Sequence, residues 1–243
     1  MMSQRNLKEK VSGQFELGKP AQVSIPEEGR RILANLAPLQ RYPPAIELFK
    51  QGGPAQDIYI VEHGLVKLVR LSSQGRDLIV GLRSPGWVVG IASVILQKPY
   101  PASALSLTYC HLRRIPAAIL IELLQSNIQL SWYFHLLQSR EIFDQIGHQV
   151  GLGFLSARQR LEQLLWRLIY AQKLSSPQKD ELKKEARLNL PLKNNEIADL
   201  IAVTPEHLSR VMRQMQQEGV LRREKGWIII IDPQQLQHAS DLL

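Results

Sequence analysis

A chain of 243 residues with 44% hydrophobic content has material for two ordinary folded cores, and none of its apolar runs reaches the roughly 20 residues of a membrane span. Polar and charged residues stand where a signal peptide would need an apolar centre, so a cytoplasmic protein is expected. A net charge of +8 favours a polyanionic partner, while the single cysteine, Cys110, excludes an intrachain disulfide and leaves no cluster for iron–sulfur or structural zinc. From Ser156 onward 14 Lys and Arg stand against 11 Asp and Glu, so charge alone marks no nucleic-acid-binding half.

Residues 1–26 carry sparse, aperiodic apolar positions and read as an arm. Glu27 to Leu39 places Ile32, Leu33, Leu36 and Leu39 on one helical face, with Pro38 near its end. From Glu47 to Pro116 short apolar strands are punctuated by glycine and proline, as in a compact β barrel or roll. Turns fall at Gly52-Gly53-Pro54, at His63-Gly64, between Ser72 and Asp77, and at Ser84-Pro85-Gly86. A short helix over Ala117–Leu124 precedes a longer one from about Asn127 to Gly151. That helix has two apolar stripes, Trp132, Leu136, Phe143, Ile146 and Val150 on one and Tyr133 and Leu137 on the other, so two partners are implied. Gly147, Gly151 and Gly153 should soften its end, and Phe154, Leu155 and Ser156 read as a hinge. Ser156 caps a further helix through Leu161, Leu164, Leu165 and Leu168. The polar stretch from Leu174 to Arg187 reads as an enlarged loop or frayed helix.

Leu190 to Ile231 is the most informative stretch. A helix over about Asn194–Ile201 buries Ile197, Leu200 and Ile201 and leaves Glu196 and Asp199 wet. A turn at Ala202, Val203 and Thr204 follows. Thr204 is a good N-cap and Pro205 suits the first helical position, where its missing N–H costs nothing. Leu208, Val211, Met212 and Met215 then recur at helical spacing, so Glu206, His207, Ser209, Arg210 and Arg213 face outward. Gly219 ends this helix, and Leu221–Arg223 and Trp227–Ile231 read as strands joined at Lys225-Gly226. This is a winged helix-turn-helix. The N-terminal part of its second helix enters the major groove, which puts Glu206, Ser209 and Arg210 nearest base edges. Arginine matches the two acceptors of guanine, glutamate accepts from the cytosine amino group, and serine meets either kind. Thr204, His207, Arg213, Arg222, Arg223 and Lys225 are placed for phosphates. A charged helix face alone means only a solvated surface, but here a capped turn, a reading face and a wing coincide.

These residues resemble the CRP/FNR family of bacterial transcription regulators. Glu206, Ser209 and Arg210 stand in the E-x-x-S-R arrangement of its FNR-type branch, which resembles readers of TTGAT-like inverted repeats. The cAMP-receptor branch has a further arginine where this chain has Pro205. Gly52, Asp57, Tyr59, Gly64 and Lys67 stand at places familiar from the family's β-roll sensor. The resemblance implies an α+β chain: an arm over residues 1–26, a cyclic-nucleotide-binding-like roll over 27–125, a dimerisation helix and hinge over 126–155, and a winged helix-turn-helix over 156–243. It implies a homodimer bound to double-stranded DNA, with RNA polymerase as the expected protein partner. The missing cysteines remove the oxygen-sensing iron–sulfur cluster of FNR.

In cAMP-binding relatives the nucleotide is held by a Gly-Glu pair and an Arg-Ser/Thr-Ala triplet. The matching positions here are Gly90-Ile91 and Ala102-Ser103-Ala104, so the glutamate and the arginine are both gone. The hydroxyl pair that meets the adenine is replaced by Gln145 and Ile146. An effector other than cAMP, or none, is therefore expected. Haem is the remaining cofactor alternative, on His63, His111, His135, His148 or Cys110, but lone histidines are usually structural and none is expected. A phosphate loop, metal-ligand spacing and a nucleophile motif are all missing, so catalysis is not expected. The competing function is a nucleotide-type interaction module without a DNA role.

Overall fold

The computed structural model describes residues 27–73, 75–174, 185–224 and 227–240. The expected arm, most of the polar stretch before Arg187, and the Lys225-Gly226 turn lie outside the described residues.

Helix α1, Glu27–Leu36, is followed by eight short strands: β1 Leu39–Tyr42, β2 Glu47–Phe49, β3 Asp57–His63, β4 Val66–Leu71, β5 Asp77–Arg83, β6 Val88–Val89, β7 Ser103–Ser106 and β8 Cys110–Pro116. They form two four-stranded sheets, ordered β1-β8-β3-β6 and β2-β7-β4-β5, with antiparallel pairing. β3 shows why its sequence is apolar at successive positions. Tyr59 and Val61 point into the roll with Val66, Ala104 and Leu112, while Ile58 and Ile60 point the other way, into a core with Leu33, Ile115, Leu120 and Phe134. The β3–β4 turn depends on Gly64, whose φ is +87°. A Cβ there would lie 2.3 Å from the Tyr109 carbonyl oxygen, so only glycine fits.

Two expectations for this region are corrected. α1 stops at Leu36, Leu39 opens β1, and both leucines are exposed, while Leu33 and Ala37 are buried and Ile32 packs partly against the same core. The β6–β7 connection also contains a short helix, α2, Ile91–Leu96, which six residues cannot announce by periodicity.

Helix α3, Ala117–Ser126, precedes the long helix α4, Ile128–Phe154. Asn127 caps α4 by accepting from the Leu130 N–H at 2.9 Å. Tyr133 and Leu137 are buried against the roll, whereas Trp132, Leu136, Phe143, Ile146 and Val150 are exposed at 58, 37, 52, 48 and 37%. α4 also passes through Gly147, Gly151 and Gly153, where an end was expected. Gly151 is buried and its carbonyl accepts from Leu155, so tertiary packing outweighs glycine's weak helix propensity. The break comes at Leu155 and Ser156.

Helix α5, Ala157–Leu174, opens on a reciprocal cap: the Ser156 hydroxyl accepts from the Gln159 N–H, and the Gln159 side chain accepts from the Ser156 N–H. After β9, Ala186–Asn189, come α6, Asn194–Leu200, and α7, Pro205–Gln217. The chain continues through β10, Leu221–Glu224, and β11, Trp227–Ile230, to α8, Pro233–Ser240. The wing is thus a three-stranded sheet, β10-β11-β9. β9 replaces part of the expected loop, and α8 follows the wing.

The two halves of the chain share a core. Ile79 and Leu107 of the roll are buried with Ile197, Ile201 and Leu208 of the helix-turn-helix. Around that contact Lys67 Nζ lies 2.7 Å from Glu196, and Arg76 lies 3.2 Å from Asp199. This corrects the expectation that Glu196 and Asp199 are wet, because β4 and β5 supply the facing cations.

Candidate nucleic-acid interface

α6 and α7 meet across the turn Ile201 to Val203, where Ala202 takes a left-handed φ of 51°. The Thr204 hydroxyl accepts from the His207 N–H at 3.2 Å, and Pro205 begins the helix. Leu208, Val211, Met212 and Met215 are buried, which fixes the rotation of α7 about its axis. The opposite face carries exposed Glu206, His207, Arg210 and Arg213, with Ser209 half-buried. Ser209 donates to the Pro205 carbonyl at 2.8 Å. Its hydroxyl oxygen keeps acceptor capacity for a base amino group.

Glu206 lies in the first turn of α7. Its own backbone N–H and the Thr204 hydroxyl hold its carboxyl below the usual carboxylate range, with Arg210 adding attraction. The helix therefore presents an ionised acceptor beside a guanidinium at its leading end. On the wing, Arg223 is exposed and donates to Asn194 at 3.1 Å, next to the start of α6. Arg222 is engaged instead by Glu185 at 3.0 Å and Glu224 at 2.8 Å, partners on residues that the sequence left in a loop and at a strand end.

In the roll, Gly90 precedes α2, Ile91 and Ala102 are buried, and the Ser103 hydroxyl accepts from the Gln51 N–H at 2.9 Å. The Phe49 and Tyr100 rings stack with centroids 3.7 Å apart, and a Cβ on Gly90 would lie 3.1 to 3.3 Å from them. Gln145 and Ile146 are exposed on α4. A small cavity of about 10 Å³ lies elsewhere, between the turn after β5 and the middle of α4, and of the six positions expected to hold an effector it takes only Ile91. Of the haem candidates, His63 and His111 are cross-strand neighbours with ring centroids 5.4 Å apart. His135 is exposed, and a ring nitrogen of His148 is 3.3 Å from the Leu200 carbonyl. Cys110 is buried, and burial pushes its thiol pKa up. Among the described residues no group of three or more His, Cys, Asp or Glu could hold a metal, and no helix is long and apolar enough to cross a membrane.

Residues 39–127 match the family described as the cyclic nucleotide-binding domain, and residues 159–239 match the Crp-like helix-turn-helix domain. The chain thus carries, in order, the two domains of a CRP/FNR-type regulator. It is 29% identical over 188 residues to the transcriptional activator protein anr of Pseudomonas aeruginosa, covering 76% of this chain and 73% of that one. It is 28% identical to the transcriptional activator protein FnrA of Stutzerimonas stutzeri, again over 188 residues, 76% of this chain and 73% of the relative. The structure of FixK2 from Bradyrhizobium japonicum shares the fold, with a TM-score of 0.65 at 21% identity over 84% of this chain and 96% of that chain. The CRP/FNR-type chain is a transcription regulator with a DNA-binding helix-turn-helix, which favours that reading over an interaction module without a DNA role.

Proposed function

We propose that this regulator acts as a homodimer, reading TTGAT-like inverted repeats with Glu206, Ser209 and Arg210 and touching phosphates with Thr204, His207, Arg213, Arg223 and Lys225. RNA polymerase is its protein partner, and its roll answers to an effector other than cAMP. The observation that carries the reading is the leading end of α7, where a capped helix presents an ionised Glu206 and an exposed Arg210 on the face opposite its buried stripe. Arg222 is a weaker phosphate candidate than its neighbour, since two carboxylates already engage it.

The exposed α4 residues support the dimer. Trp132, Leu136, Phe143, Ile146 and Val150 advance by alternating three- and four-residue steps if Ser139 is counted between Leu136 and Phe143, the spacing of a two-helix seam. A second copy of the same helix covers such a stripe and sets two reading heads about 34 Å apart, one DNA turn. The test is a gel shift with the inverted repeat against one with both half-sites scrambled. Preference for the intact repeat by about 10³ or more is expected at physiological salt, and equal retention of both probes defeats the reading.

A further inference from the structure

The charged residues lining the cavity beside α4 are Arg140 and Glu141, and further charged side chains pack around them. Trp87 and Ile91 close it from the roll, and Leu137, Arg140 and Glu141 close it from the helix. Two guanidinium groups lie over the Trp87 ring, with Arg83 Cζ 4.9 Å and Arg140 Cζ 5.2 Å from its centroid. Arg83 is already matched by Glu141 at 2.6 Å. Arg140 is not matched in this way. It is only 7% exposed, the carboxylate of Asp144 approaches its Nε no closer than 4.0 Å, and that Nε has no hydrogen-bond acceptor among the described residues. Asp144 is also shared with Arg167 of α5 at 3.4 Å. Three cations, Arg83, Arg140 and Arg167, thus face two carboxylates, Glu141 and Asp144, with Arg140 and Glu141 in the cavity wall, and both the buried Arg140 Nε–H and Asp144 Oδ2 lack a hydrogen-bond partner among the described residues. Leaving such a donor unmet away from water is costly, and a charged one costs most.

We propose that this cavity is an oxyanion site, in which the carboxylate or phosphate head of a small ligand enters beside Trp87 and accepts from Arg140. The excess of positive charge selects an anion over a metal ion. The volume admits about one water-sized group, so an oxygen of the head is buried while the body of the ligand stays outside. Only Ile91 is shared with the positions that hold a nucleotide in cAMP-binding relatives. This deepens the effector part of the proposed function and rests on the roll being a sensor. The placement suits that role: Arg83 ends β5, the strand on which α6 packs, and Asp144, beside Arg140, pairs with Arg167 of α5, so the cavity between roll and α4 is one side chain removed from the DNA-binding elements.

The test is calorimetric titration of the full chain with succinate and, separately, with inorganic phosphate, at ionic strength held constant with chloride. Saturable binding of either anion is expected, and which one binds tells a carboxylate effector from a phosphorylated one. Arg140→Gln should weaken it about tenfold or more, while Arg41→Gln, on an exposed strand residue away from the cavity, leaves it unchanged. Absence of saturable binding of both anions to the wild-type chain, or binding undiminished by Arg140→Gln, overturns the proposal. Should Arg140→Gln fail to fold, a saturable rise in the wild-type melting temperature with either anion, absent with matched chloride, supports the site, and no rise overturns it. A gel shift run beside the titration separates this from the DNA reading. Wild-type protein that binds anion through Arg140 but ignores the inverted repeat keeps the site and loses the reading.

Discussion

Arg210 and Arg213 sit three residues apart on one exposed face of α7, yet they are expected to do different work because the first lies nearer the leading end of the helix. Arg210→Ala should cost about 1 to 3 kcal/mol of specific binding, mostly at one base pair of each half-site, measured by gel shift over single-base variants. Arg213→Ala should weaken all sequences alike and lower the salt slope by about one. Equal loss on specific and random DNA for Arg210→Ala reverses the assignment. These positions were legible in the sequence because four buried apolar residues fix which side of a helix faces out. Arg140 was not legible: its Trp87 neighbour comes from the roll and Arg167 from α5, and nothing local announces either. Cys110 gives a second test at this scale. Burial raises its thiol pKa above the ordinary value, so near pH 8 the folded chain should resist alkylation that the denatured chain accepts readily, as mass spectrometry of labelled protein reads out.

At the scale of the element, α4 shows how little a glycine count decides once packing is available. Three glycines lie in its final third, and the helix still runs to Phe154. The sequence did show its two stripes, and the structure assigns Tyr133 and Leu137 to the roll and leaves the Trp132 to Val150 stripe exposed. If that stripe is the seam between two copies, Ile146→Glu places an unpaired carboxylate on it at each copy. Sedimentation should then show the variant shifted to monomer, with affinity for the inverted repeat falling alongside. An undisturbed dimer moves Ile146 off the seam. β9 was illegible for the opposite reason: its alternation over Ala186–Asn189 is too short and polar to read, and it exists because β11 offers a free edge through Ile228 and Leu188.

For the whole molecule, the decisive feature is the contact that makes two units into one body, which no local pattern could show. Glu196 and Asp199 have the spacing of solvated helix residues, and the roll strands facing them in space are distant in sequence. The Lys67–Glu196 pair is the better placed of the two, at 2.7 Å with both side chains mostly buried. Glu196 also accepts from the Lys193 N–H at 2.7 Å, so its carboxylate serves both the α6 start and the sensor contact. Burial alone would raise its pKa, but Lys67 and the Lys193 N–H outweigh that and hold it below the usual value of about 4.5. A depressed carboxylate contributes stability that is present above its unfolded pKa and lost as pH falls through the folded one. The contact should therefore persist near neutrality and loosen only below about pH 4.5, where the unfolded chain begins to bind the proton first. Glutamine at both positions gives the clean measurement, because Glu196→Gln removes the charge while keeping an acceptor for Lys193. A double-mutant cycle of Lys67→Gln and Glu196→Gln, read by thermal melting at pH 7, should return a coupling of about 0.5 to 3 kcal/mol that shrinks toward zero on acidification. Hydrogen exchange of α6 amides should rise in either single variant while the interior of the roll stays protected. Additive effects at pH 7, with α6 exchange unchanged, would remove this pair from the contact and leave the shared core around Ile79 and Ile197, with the Arg76–Asp199 pair, to hold the two units together.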